Sequence, residues 1–131
     1  MTLDVIRRWY SRLPPAERDL PIVIYQGVAY TPTMIYSEVM RGTPLGEILQ
    51  RYVETGSIGT TREEEYMLAL TRLREVLRRY SPDRPIIATL TIPPRTLTPS
   101  DILREVESRT PLGMRFVEAE LEHARRLLRL R

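Results

Sequence analysis

The chain has no cysteine, no lysine and no asparagine. Without cysteine there is no disulfide framework and no thiolate metal site. Without lysine there is no Schiff-base chemistry and no Walker-type phosphate loop. Histidine occurs once, at His123, so a transition-metal site built on several imidazoles is excluded as well. No apolar run approaches the roughly 18 residues of a membrane helix. Asp4, Arg7 and Arg8 interrupt the stretch where a signal peptide would be apolar. These absences predict a soluble, cytoplasmic protein with no membrane partner, no metal and no cofactor.

All twenty basic residues are arginine, proline occurs eleven times, and the only side-chain amides are Gln26 and Gln50. Many charges, few thermolabile amides and proline-rich connections suit a thermophilic origin. A length of 131 residues predicts a single compact domain over 1–131, large enough to bury a core without covalent staples. The net charge of +3 is spread unevenly: residues 1–65 hold seven arginines and nine acids, residues 66–131 thirteen arginines and eight acids.

One stretch occurs twice. Residues 31–46 and 98–113 match without a gap at nine of sixteen positions, and both end in Thr-Pro-Leu-Gly. Unrelated segments would share roughly one, so this is an internal repeat. Thr-Pro is a helix start: the threonine caps, and proline fits the first helical position because its missing N–H has no partner there. Gly42 supplies a stop, and Thr43-Pro44 starts a second helix. Each copy is therefore a helix, a tight turn and another helix. Arg109 stands where the first copy has Gly42, so its turn is expected to differ, because a non-glycine residue resists positive φ. Glycine at the same place in both helix starts, Gly46 and Gly113, points to close packing against a neighbour, with backbone approach to an anion as the alternative.

Leu3, Ile6, Tyr10 and Leu13 predict a first helix, ended by Pro14-Pro15. Ile22–Tyr25 predicts a strand that Gln26-Gly27 turns into a short second strand, Val28–Tyr30. Residues 55–60 read as a linker. Thr61–Glu64 is a capping-box pattern opening a helix to about Tyr80, with Tyr66, Leu70, Leu73, Leu77 and Tyr80 as its apolar stripe. Ile86–Ile92 alternates as a strand ended by Pro93-Pro94. Val117, Leu121, Ala124 and Leu128 form the stripe of the C-terminal helix. The expected fold is α+β and mainly helical. Two helix-strand-helix-helix halves, about 1–58 and 61–131, surround a small β-sheet in which their strands lie side by side.

Signals of chemistry are sparse. No Gly-x-Ser-x-Gly elbow, Walker loop or Gly-x-Gly-x-x-Gly occurs. Carboxylates cluster at Glu63–Glu65, at Glu105 with Glu107, and at Glu118, Glu120 and Glu122, but among arginines on helices they read as solvated faces rather than a tuned acid–base pair. The helix-turn-helix outline, Arg115 early in the last helix, and Arg125, Arg126, Arg129 and Arg131 at its end form a candidate contact set for nucleic acid or an acidic partner. Glu118, Glu120 and Glu122 in the same helix oppose a phosphate contact, and arginines at a helix C-terminus also serve its dipole. Seven tyrosines and a tryptophan suit interfaces. The first expectation is a non-enzymatic interaction or assembly protein that associates with itself or a protein partner. The second is a small helix-turn-helix-like nucleic-acid-binding regulator using the basic C-terminal half. A basic end that caps a packed helix favours the first; a continuous positive face with Arg115 favours the second.

Overall fold

Four Thr-Pro pairs begin four helices. In the computed structural model, which describes residues 3–89 and 95–130, the hydroxyls of Thr31, Thr43, Thr98 and Thr110 accept hydrogen bonds from the amides of Met34, Gly46, Asp101 and Gly113 at 3.0–3.2 Å. Each side chain satisfies an amide that the helix itself cannot, worth about 1 kcal/mol. Thr98 forms a full capping box, since Asp101 Oδ2 accepts from its backbone amide in return.

The elements run α1 (Leu3–Arg12), a 3₁₀ turn (Pro15–Glu17), β1 (Val23–Tyr25), β2 (Val28–Tyr30), α2 (Pro32–Met40), α3 (Pro44–Thr55), α4 (Arg62–Leu77), β3 (Ile87–Thr89), β4 (Arg95–Leu97), α5 (Pro99–Glu107) and α6 (Pro111–Leu128). The fold is α+β and mainly helical, as the sequence predicts. No described helix is long and apolar enough to cross a membrane.

The sheet differs from expectation. β1 pairs only with β2, and β3 only with β4, both antiparallel. The two halves do not lay their strands side by side; each strand finds its partner within its own hairpin. β4 is a strand the sequence did not reveal, so the second half also contains a hairpin. Of the expected strand Ile86–Ile92, residues 87–89 are β3, and residues 90–92 lie outside the described residues, as does the Thr2 cap of α1. Helix α4 ends at Leu77, so Tyr80 leaves the stripe it was assigned to and is 51% exposed.

Contacts divide the chain into two units, Met1–Leu68 with Leu121–Arg131, and Ala69–Glu120. The division runs through α4 and α6 rather than along the linker at 55–60. It also redistributes the charge: the first unit holds eleven arginines and ten acids, the second nine and seven. In the first unit the core gathers Ile6, Trp9, Ile22, Ile35, Leu49, Val53, Ile58 and Leu128, all essentially inaccessible. The Trp9 indole donates to the Leu127 carbonyl at 2.9 Å, which ties the end of α6 to α1. In the second unit Leu97, Ile102, Val106 and Val117 are buried. So is Arg72, at 1% exposure, with its Nε donating to Glu120 Oε1 at 2.8 Å.

Candidate interaction surface

Both Thr-Pro-Leu-Gly junctions have the same geometry. Thr43 Oγ1 donates to Glu38 Oε2 at 2.5 Å while accepting from Gly46 N at 3.0 Å; Thr110 Oγ1 donates to Glu105 Oε2 at 2.5 Å while accepting from Gly113 N at 3.0 Å. A Cβ on Gly46 would lie 2.7 Å from Glu38 C and 2.9 Å from Val39 N. One on Gly113 would lie 2.7 Å from Val106 N, with Glu105 closer still. Close packing therefore accounts for these glycines: the start of one helix presses on the end of the preceding one. Their amides already donate to threonine, so they are not the open donors that an anion site uses. The hydroxyl bonds hold the Glu38 and Glu105 carboxyls below the usual carboxylate range, the Thr43 and Thr110 hydroxyls contributing most.

The turn between each pair is also shared. Gly42 has φ +68° and Arg109 φ +53°, both left-handed. The expected difference at Arg109 does not arise. The crossing of the two helices fixes the turn, and Arg109 adopts the conformation that glycine takes without cost.

The candidate cations are dispersed. Arg115 is exposed on α6 in the second unit. Arg125 pairs with Glu65 within the first unit and is only partly exposed. Arg126 and Arg129 are exposed, and Arg131 lies outside the described residues. Exposed Glu118 and Glu122 fall at helical spacing between Arg115 and Arg126, so the stripe they share alternates in sign. His123 Nε2 lies 3.0 Å from Glu17 Oε1.

The carboxylate clusters are engaged structurally. Glu64 accepts from the amide and hydroxyl of Thr60 at 2.9 and 2.6 Å while Thr61 caps its amide, and its carboxyl is held below the usual range by those bonds, the Thr60 hydroxyl first. Asp101 is lowered by the Thr98 amide and then its hydroxyl. Glu107 lies 3.7 Å from Arg74. Among the described residues no group of three or more His, Asp or Glu is placed to hold a metal ion.

What distinguishes the two units is how their hairpins are covered. The registers correspond: Val23↔Tyr30, Ile24↔Ala29 and Tyr25↔Val28 in one, Ile87↔Leu97, Ala88↔Thr96 and Thr89↔Arg95 in the other. A backbone bond precedes each, Ile22 N to Tyr30 O and Ile86 N to Leu97 O, both at 2.9 Å. Yet Ile22 and Val23 are 0% exposed, while Ile86 and Ile87 are 37% and 38% exposed. On the far side of β1 the linker returns, and Ile24 N donates to Ile58 O at 2.8 Å, with Ile58 itself buried. No described strand pairs with the far side of β3.

The base of each hairpin repeats the contrast. Thr33 N donates to Arg18 O at 3.1 Å, and Ser100 N to Pro82 O at 3.3 Å. In the first unit this corner is filled. Tyr10 stacks on Tyr36 with centroids 4.6 Å apart, bonds Thr33 Oγ1 at 3.0 Å, and lies under the Arg18 guanidinium. In the second unit Leu103 stands at the Tyr36 position of the repeat, and a groove of about 480 Å³ opens between Leu77, Tyr80, Pro82, Pro99 and Leu103, with Arg74 also lining it. Sequence reasoning missed Ile58, Tyr80, Ile86 and Ile87 as members of a surface. The available signal was Ile58, an isolated branched residue inside a glycine-rich linker.

Comparison with known proteins finds no matching family model, no matching curated protein and no matching solved structure.

Proposed function

We propose that this chain is a non-enzymatic interaction or assembly protein that associates with itself. One observation carries the reading: the second unit leaves Tyr80, Ile86 and Ile87 at its surface where the repeated architecture of the first unit buries or stacks their counterparts. Exposed branched residues on a strand gain about 25 cal/mol for each Å² removed from water when a partner covers them. The end of α6 supports the same reading, because Leu127 and Leu128 are buried and Trp9 bonds the Leu127 carbonyl. That basic end caps a packed helix. Sedimentation velocity over a concentration series tests the proposal: a weight-average mass that rises reversibly with concentration supports it, and a constant monomer refutes self-association.

A nucleic-acid-binding regulator is the second reading, favoured by exposed Arg126 and Arg129 beyond Arg115 on α6. The alternating signs along that helix work against it. Duplex-DNA anisotropy at several salt concentrations separates the two. Micromolar binding with a steep salt slope, weakened by Arg115→Ala, would replace the interaction reading.

A further inference from the structure

We infer that β3 is the docking edge for a second copy of this chain, the two β3 strands pairing antiparallel across a twofold axis to join two hairpins into one four-stranded sheet. The inference rests on the self-association reading and names its surface. It begins from a difference of one residue in the repeat. Helix α3 stops at Thr55 because Gly56 takes a left-handed C-cap at φ +69°, and the chain turns back so that Ile58 reaches β1. Sixty-seven residues later, at the spacing that relates Thr31 to Thr98 and Gly46 to Gly113, stands His123, which lies inside α6. The helix runs on to Leu128, so this copy of the repeat has no returning segment at that place.

The consequence falls on Ala88. By register it occupies the position of Ile24, whose amide points away from its hairpin partner and is satisfied by Ile58 O. A strand edge in this state is a template for another strand. The first unit shows what closes it: extended backbone carrying a branched apolar side chain. A second β3 has that chemistry, in Ile86 and Ile87, and is exposed in the same way. The same patch serves both copies, as an isologous interface requires. Pro85 to Ile92 contains no charged residue, so nothing electrostatic opposes pairing with itself. In the antiparallel arrangement the two Arg84 side chains fall at opposite ends of the joined strands, and neither faces the other.

The test uses the full chain. The unsubstituted protein should sediment as a reversible monomer–dimer system. Ile87→Arg should raise the dimer dissociation constant about a hundredfold, because it sets like charges against each other across the axis. Val28→Arg, on an equally exposed strand of the closed hairpin, should leave it unchanged. Circular-dichroism melts establish that both variants fold. Should Ile87→Arg fail to fold, hydrogen exchange on the unsubstituted protein decides instead: the Ala88 amide should exchange more slowly as protein concentration rises. A dimer that withstands Ile87→Arg, with Ala88 exchange independent of concentration, overturns the β3 assignment while leaving self-association standing. A constant monomer overturns both. A monomer whose β3 amide resonances shift on adding a synthetic peptide of residues 55–61 would show that the edge takes a foreign strand, and would overturn the second copy as its occupant.

Discussion

Replacing Gly46 or Gly113 by alanine should destabilise the protein, although alanine is the better helix former. The two effects have opposite signs, so the sign of the result is informative. Gly→Ala in a helix gains about 1 kcal/mol where nothing crowds the new methyl group. Here the methyl carbon of Gly46→Ala would sit 2.7 Å from a backbone carbon, whereas ordinary contact begins at 3.4 Å. The helices must therefore part by at least about 0.7 Å, with backbone on the opposing side and no flexible side chain to yield. Overpacking of this kind costs up to about 3 kcal/mol, which leaves a net loss of about 2 kcal/mol. For a chain of this length that lowers Tm by about 8 °C. Gly113→Ala should cost more, because Glu105 approaches more closely there than Glu38 approaches Gly46. Differential scanning calorimetry of the two single variants measures this directly. A rise in Tm for either would refute the close-packing explanation of the paired Thr-Pro-Leu-Gly motifs.

The side-chain network makes two further outcomes testable. Glu38, Glu64, Asp101 and Glu105 all ionise below the usual carboxylate range in the folded chain. A depressed folded pKa contributes stability that is present above the unfolded value, about 4.3 for Glu, and is lost as pH falls through the folded value. Melting temperature should therefore be level near neutrality and fall below about pH 4.3. Thr110→Val should move the Glu105 carboxyl titration, followed by NMR, upward, and an unmoved titration would sever the hydroxyl from that shift. Separately, Glu120→Ala takes a carboxylate away from Arg72, which is 1% exposed, and should cost about 3 kcal/mol in urea unfolding, whereas the apolar double replacement Arg72→Met with Glu120→Leu should recover much of the loss.

The helical half of this fold was legible because its rules are local. Thr-Pro starts and spaced apolar stripes act through a residue's own neighbours in the chain, and Val117, Leu121, Ala124 and Leu128 are all buried as their spacing requires. The features that escaped were decided by tertiary context. Arg95-Thr96-Leu97 comes after two prolines and carries no branched run; it is a strand because its register with β3 gives it a partner. Arg109 takes a left-handed φ because the helix crossing on either side of it dictates the turn. Arg72 sits among apolar stripe positions of α4 in a helix buried on more than one face, as inaccessible Leu68 and Ala69 also indicate. The candidate surface was least legible of all. Ile22-Val23-Ile24 and Ile86-Ile87-Ala88 are equivalent as strand signals, and only the cover over them differs.

That difference explains how one repeated architecture can leave one hairpin closed and the other open. The Thr-Pro-Leu-Gly junctions are the invariant part: same hydroxyl bonds, same glycine contact, same left-handed turn. They position each hairpin's base through the Thr33 and Ser100 amides but do not reach its outer edge. The edge depends on the stretch of chain beyond the second helical start of each pair. A glycine at position 56 lets the chain reverse and lend Ile58 to β1; a histidine at 123 lets the helix continue, and its ring is drawn instead to Glu17. Continuing α6 places Leu127 against Trp9 and completes the core of the first unit. The same segment cannot do both, since a helix satisfies its backbone internally and has no free donors or acceptors along its length to offer a strand. Completing the first unit's core with the second helical pair is thus achieved at the expense of the second hairpin's cover, and the open edge of β3 is a consequence of the fold rather than an accident of surface composition.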